Sequence, residues 1–382
     1  MQDLISEKDK WRTVFLDVCS RALEWQDNSD GSMPAGHNGP YRDPETPVRN
    51  TSHWIISFAK AFELTNDERY LNASREAVEF LLNDRKFNYG YSYIQREKSG
   101  KDVINGVIGP AWVIEALVFA YKRFGDEEIL NKAWNLQRIH DFNETLNLWH
   151  RCDPEGKTGK IDYTFNHQLW FAAASAVLNK LCNDDTISNQ LTSFFDGIQF
   201  NLQTYPSGLI RHGILRRDTF SDRVKNFIRP AYGFYERLSS GKTMKYKEQG
   251  YHFFNLFAFA KIHKAGFHHS FFDGAGFGKM LSYGFSYELA DSLLVNRDER
   301  DVTRLPENKN IPCNRYGYPY NAVGFEAPFV NDVFSLENDA LVASFFEKQL
   351  ELTYNFQEKL FVNSTEDPTT LNSRIYELAH IL

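Results

Sequence analysis

The side chains of this 382-residue chain that could do chemistry fall in five polar stretches, each running into an apolar one. The first holds His37, Asp43, Arg49, Asn50, His53 and Trp54, and the prolines and glycines from Gly31 to Val48 stiffen the backbone that carries them. The second sets Asp102 and Asn105 ahead of Trp112, and the third sets Asp162, Asn166, His167, Gln168 and Trp170 together. In the fourth, Arg211 and His212 follow a Tyr-Pro-Ser-Gly turn, while Glu248, His252 and Asn255 fall at i, i+4 and i+7, one face of a helix. The fifth offers Arg315, Tyr316, Tyr320 and Glu326. Helix capping explains part of this, since Asn50, Thr51 or Ser52, and Asp162 or Thr164, can close an N-terminus. Asn, His and Gln buried in a packed helix cost stability unless paired, so a ligand-facing cavity explains Asn166, His167 and Gln168 better.

Rim carboxylates suit acid–base cleavage of a glycosidic bond, and imidazoles suit moving a proton beside a carbonyl or carboxylate. Arg49, Arg211 and Arg315 stand among acidic residues, and guanidinium forks match the carboxylate of an anionic sugar. Aromatic residues make up 15% of the chain, more than a core requires, and their flat faces stack on pyranose rings.

The elements that must position these groups are helices in pairs. Apolar runs at 54–62, 111–121, 169–178 and 251–260 are hydrophobic nearly all round, and after a short turn the first three are followed by amphipathic helices at 70–82, 129–140 and 187–200. Further helices are predicted over 280–294, 332–354 and 371–382. An apolar first helix and an amphipathic second one fit an inner and an outer ring. A repeat of roughly 55 to 80 residues is too long for the common solenoids, which favours an all-α closed barrel formed by residues 1–382 as one domain. The extra length sits in loops at 28–49, 86–109, 149–164, 205–249 and 295–328, all leading into inner helices from one rim, and loops of that length are usually functional.

Other classes are disfavoured. The formal charge of −7 argues against nucleic acid or anionic lipid as partner. No segment approaches the ~18 apolar residues of a membrane span, and a polar start without an apolar h-region predicts a cytoplasmic protein, the alternative being a secreted mature form with its signal peptide removed. The four cysteines lie far apart, so neither a disulfide framework nor a zinc site is expected. The absence of GxGxxG, Walker, HExxH and GxSxG patterns leaves no cofactor and no metal to expect.

With Gly36-His-Asn-Gly-Pro-Tyr41, Asp43-Pro-Glu-Thr-Pro-Val-Arg-Asn-Thr51, Asn105-Gly-Val-Ile-Gly109, Thr164-Phe-Asn-His-Gln-Leu-Trp-Phe-Ala-Ala173, Tyr318-Pro-Tyr-Asn321 and Gly324-Phe-Glu326 in view, the chain resembles the AglQ-type family of glycosylation and surface-polysaccharide gene clusters. More distantly it is similar to unsaturated glucuronyl hydrolases, which implies an (α/α)6 barrel and places Asp102 and Asp162 at their two aspartate positions. The resemblance implies an oligosaccharide or polysaccharide substrate containing uronic acid. Its hydrolysis would use Asp162 as general acid and Asp102 as partner, with Glu248 and Glu326 in reserve. The alternatives are a sugar isomerase, epimerase or lyase using His252 or His167 with Arg49 or Arg211, and a non-catalytic glycan-binding or scaffolding barrel.

Overall fold

The apolar runs become helices whose burial separates them into two kinds. Helix α2 (Val48–Thr65) buries 14 of its 18 residues, whereas its partner α3 (Glu68–Asn83) buries one stripe of seven, the difference expected between an inner and an outer position. The computed structural model describes residues 6–83, 86–88, 90–217, 241–296 and 311–382. Around α2 and α3 stand α1 (Glu7–Ala22), α4 (Ile108–Phe124), α5 (Glu127–Arg138), α6 (Phe165–Cys182), α7 (Asp185–Asp196), α8 (Gly241–Gly250), α9 (His252–Lys264), α10 (Ala275–Gly284), α11 (Tyr287–Leu293), α12 (Val323–Phe334) and α13 (Asp339–Thr353). The last segment is α14 (Pro368–Ser373), continued as a 3-10 helix over Arg374–His380.

Six inner elements close a ring: α2 packs on α4, α4 on α6, α6 on α9, α9 on α12, α12 on the Arg374–His380 segment, and that segment back on α2. Outside them lie α3, α5, α7, α10 with α11, α13 and α1, so the fold is an (α/α)6 barrel. Aromatic stacks hold the layers together, such as Trp170 on Phe254 and Phe257, with centroids 4.6 and 5.9 Å away. Two short antiparallel ribbons decorate the helices: β1 (Phe142–Asn143), β2 (Leu148–Cys152) and β3 (Thr158–Ile161) form one, and β4 (Tyr354–Asn355) with β5 (Leu360–Phe361) the other.

Several expectations are corrected. The predicted 332–354 helix is the outer α13 alone, and the inner partner α12 occupies the end of the expected 295–328 loop with Pro328 inside it. Its apolar surroundings on every side override the proline's breaking tendency. The 187–200 helix stops at Asp196, where Gly197 follows, and 280–294 divides into α10 and α11. Glu248, His252 and Asn255 do not share one helix, because α8 ends at Gly250 and α9 begins at His252. Residues 218–240 and 297–310, parts of two expected rim loops, lie outside the described residues. No described helix is long and apolar enough to cross a membrane.

Candidate active site

The inner helices α2, α4, α6 and α9 turn their N-terminal ends to one mouth, where a cavity of about 250 Å³ opens. Arg49, at the second position of α2, is 1% exposed and reaches Glu45 with Nη1 at 3.1 Å and Asn38 Oδ1 at 3.3 Å. Its guanidinium lies 4.8 Å over the Trp112 ring and 5.9 Å from that of Tyr320, whose hydroxyl donates to Asn38. Arg374, from the last inner segment, donates to Glu326 at 2.6 Å and to the Asn321 carbonyl at 3.0 Å, pairs with Glu377, and lies over Phe254. Both cations keep a buried Nε without a protein partner among the described residues.

A second group centres on His167, whose Nδ1 donates to Asp162 Oδ2 at 2.8 Å. Asp162 is fully buried and also accepts from Val107 N, Thr164 N and Arg151 Nη2. Burial alone would raise its pKa, but the facing His167 and Arg151 outweigh burial and hold the carboxyl below its usual range. Arg151 reaches from β2 to Asp102 Oδ2 as well, at 3.3 Å, and Asp102 accepts from Ile104 N and Gly106 N within its own turn. Gly106 has φ +63°, and a Cβ there would stand 1.9 Å from Asp162 Oδ2, so glycine is required for this approach.

The third group is His212, Lys247, Tyr41 and Tyr251. Lys247 Nζ donates to His212 Nε2 at 3.1 Å and sits 5.1 and 5.5 Å from the Tyr41 and Tyr251 rings, whose hydroxyls meet at 2.8 Å. Burial brings the Lys247 ammonium down to about 8 and, with Lys247 alongside, pushes the His212 imidazole well below its ordinary value. Glu248 stands behind them, accepting from His212 N at 2.9 Å and Tyr205 OH at 2.8 Å.

Of the expected site residues, Asp43, Arg49, Asn105, Trp112, His167, His212 and Tyr320 line the cavity. Asp102, Asp162 and Glu248 form a layer behind that lining, and Glu326 serves Arg374 from below. Asp162 is placed by its geometry away from a general acid's position, since both its oxygens are taken by Arg151, His167 and two backbone amides behind the cavity lining. His252 is corrected too: its ring turns outward to the Met280 carbonyl and the Ile210 amide. His37 binds the Glu366 carbonyl, Asn50 the Pro34 carbonyl, and Gln168 the Trp149 backbone. His53 stacks on Tyr376, Trp54 on Phe58, and Arg211 on Tyr205, while Tyr316 tilts against Tyr41 and Tyr251. Lys101, Lys247, Arg96, Tyr251 and Arg374, absent from the expected set, also line the cavity.

The buried Oδ1 atoms of Asn105 and Asn166 and the Nε1 of Trp112 have no hydrogen-bond partner among the described residues. Two acceptors and a donor left open in a cavity wall suit the hydroxyls of a ligand.

The fold is that of carbohydrate-processing enzymes. It is similar to a solved sugar epimerase from a ruminal bacterium (TM-score 0.65, 14% identity, covering 98% of this chain and 99% of that one). It is also similar to an unsaturated glucuronyl hydrolase specific for heparin (TM-score 0.54, 14% identity, 98% and 95%). No family model matches the chain. Archaeal glycosylation protein Q of Haloferax volcanii is 33% identical over 362 residues, 92% of each chain, and the protein belongs to this family.

Proposed function

We propose that the protein is a carbohydrate-active enzyme that moves a proton on an anionic sugar, at the carbon beside its carboxylate or carbonyl, as an epimerase or isomerase does. The observation that carries this reading is the inventory of the cavity: among the described residues, Arg49, Arg96, Lys101, Lys247 and Arg374 line it with two histidines, against one carboxylate, Asp43, already held by Lys98 and Lys101. Such a lining attracts a uronate and lacks the free carboxyl pair of a glycosidase. The two-carboxylate hydrolysis expected for Asp102 and Asp162 finds little support, because one guanidinium clamps both behind the lining.

In the proposed reaction Asp162 fixes the Nδ1–H tautomer of His167 and leaves Nε2 as the base. The Lys247–His212 pair supplies the returning proton. The negative charge that develops on the substrate lies near Arg49 and Arg374, desolvated cations that need no reorganisation to stabilise it. The similarity to a sugar epimerase and membership in a glycosylation family are consistent with this substrate class.

The test is solvent exchange: uronic acids and uronate glycosides are incubated with the protein in deuterium oxide and followed by proton NMR. Deuterium is expected at the carbon beside the carboxylate or carbonyl, and His167→Gln should slow its entry by a factor on the order of 10²–10⁴. New reducing ends without exchange would replace this reading with hydrolysis. Binding without either would leave a glycan-binding module.

A further inference from the structure

The cavity does not end at its lip. A second hollow of about 410 Å³ adjoins it, lined by Lys86, Phe87, Ile94, Arg96, Lys98, Lys101 and Val103, and the two hollows share Arg96 and Lys101. Among the described residues, four cations line this groove against one carboxylate, Glu97. Two of them, Lys98 and Lys101, hold Asp43 between them, and Arg96 makes no ion pair among the described residues while its Nε is buried without a hydrogen-bond partner. Opposite charge is therefore still wanted where the groove meets the cavity.

The two hollows differ in the cations they use. The cavity floor presents Arg49 and Arg374, planar forks that pair bidentately with a carboxylate, whereas the groove gathers three lysines around Arg96, point charges and a fork that together suit the several oxygens of a phosphate. At about 250 Å³ the cavity is smaller than the ~300–1,000 Å³ of drug-sized sites and has room for one sugar ring. The adjoining groove offers a path for whatever is attached to that ring.

We propose that the substrate is a glycosyl phosphate or diphosphate: the cavity holds one uronate ring, and Lys86, Arg96, Lys98 and Lys101 hold the phosphate on its anomeric oxygen. This rests on the anionic-sugar reading above and narrows it. A phosphorylated anomeric carbon cannot open to an aldehyde, so the mobile proton is the one beside the carboxylate. That C–H proton leaves to the base and a solvent-derived proton returns to the same carbon, with the phosphate ester untouched.

Calorimetric titration of the full chain compares D-glucuronate and D-galacturonate with their 1-phosphates and with inorganic phosphate. Each 1-phosphate is expected to bind about tenfold or more tighter than its free sugar, the gain of one charge-assisted contact. The double variant Lys86→Gln/Lys98→Gln, neither residue lining the cavity, should bring that ratio back toward one. UDP-glucuronate and a polyprenyl-phosphate glucuronate in detergent separate a nucleotide carrier from a lipid one, and tighter binding of either supports the proposal. Equal affinity for sugar and sugar phosphate would overturn it while leaving the uronate cavity standing. Failure of every uronate to bind would overturn both.

Discussion

Replacing Asp162 with asparagine separates the role assigned here from that of a general acid. The carboxylate accepts four hydrogen bonds, from Val107 N, Thr164 N, Arg151 Nη2 and His167 Nδ1. In the variant the amide oxygen can keep Thr164 and Arg151, but the amide nitrogen then faces the Val107 amide, donor against donor. Loss of the charge and of one satisfied donor in a fully buried site costs about 3 kcal/mol. With ~2.1 cal/mol/K of unfolding entropy per residue, that lowers Tm by roughly 4 °C, which scanning calorimetry resolves. The amide nitrogen also donates to His167 Nδ1, so the imidazole must carry its proton on Nε2 and ceases to be a base. Deuterium exchange should fall on the order of 10²–10⁴-fold, and Asp162→Asn/His167→Gln should be no slower than the slower single variant, since the two residues act as one unit. An exchange rate within about threefold of wild type, or additive losses in the double variant, would refute the dyad.

Two further predictions concern the buried charges beneath the cavity. Lys261 is 3% exposed and pairs with Glu115, which burial would raise but Lys261 and His380 hold down at about 2. Lys261→Met should cost about 3–5 kcal/mol in chemical denaturation, and Lys261→Met/Glu115→Gln should recover most of it, because the loss is that of an uncompensated buried charge. Burial lifts Glu377 from 4.5 to about 8 despite Arg374 alongside. The folded protein therefore keeps a proton that the unfolded chain releases, and this group's contribution is full below pH 4.5 and lost as pH rises toward about 8. Glu377→Gln should flatten the fall in unfolding free energy over that window, by up to about 1.4 kcal/mol per pH unit; an unchanged slope would refute it.

The ring of the barrel was legible in the contrast between α2, α4, α6 and α9, apolar all round, and the striped helices that follow α2, α4 and α6. Its closure was not, because α1 backs an inner segment at the opposite end of the chain, and nothing local to Val14, Phe15 and Val18 announces that partner. Within the site, Arg49, Trp112 and His167 were readable because each lies in the first turns of an inner helix, where a polar or amphipathic side chain has only the mouth to face. Lys247, Lys101 and Arg374 lie on a polar helix, a loop and the final segment, and their convergence depends on how distant pieces of backbone pass one another. The carboxylates Asp102 and Asp162 were found by type and place, but no spacing reveals that Arg151, on a hairpin strand, reaches both.

The arrangement of charge also explains how a barrel can keep so many cations around one small cavity. Arg49 is held from behind by Glu45, and Arg374 by Glu326, Glu377 and the Asn321 carbonyl, so neither guanidinium has a carboxyl group blocking the space in front, while Lys101 pairs with Asp43 on the cavity wall. Each guanidinium spends one edge on its structural partner and keeps a buried Nε unused. Arg96 and Lys247 make no ion pair among the described residues, one at the junction with the groove and the other beside His212. An anion entering the cavity would thus meet two uncompensated charges and several oriented, unspent donors, a field already in place before the substrate arrives. His212, whose imidazolium is disfavoured by burial and by Lys247 alongside, and His167, oriented by Asp162, stand in that field where they can exchange protons with the substrate.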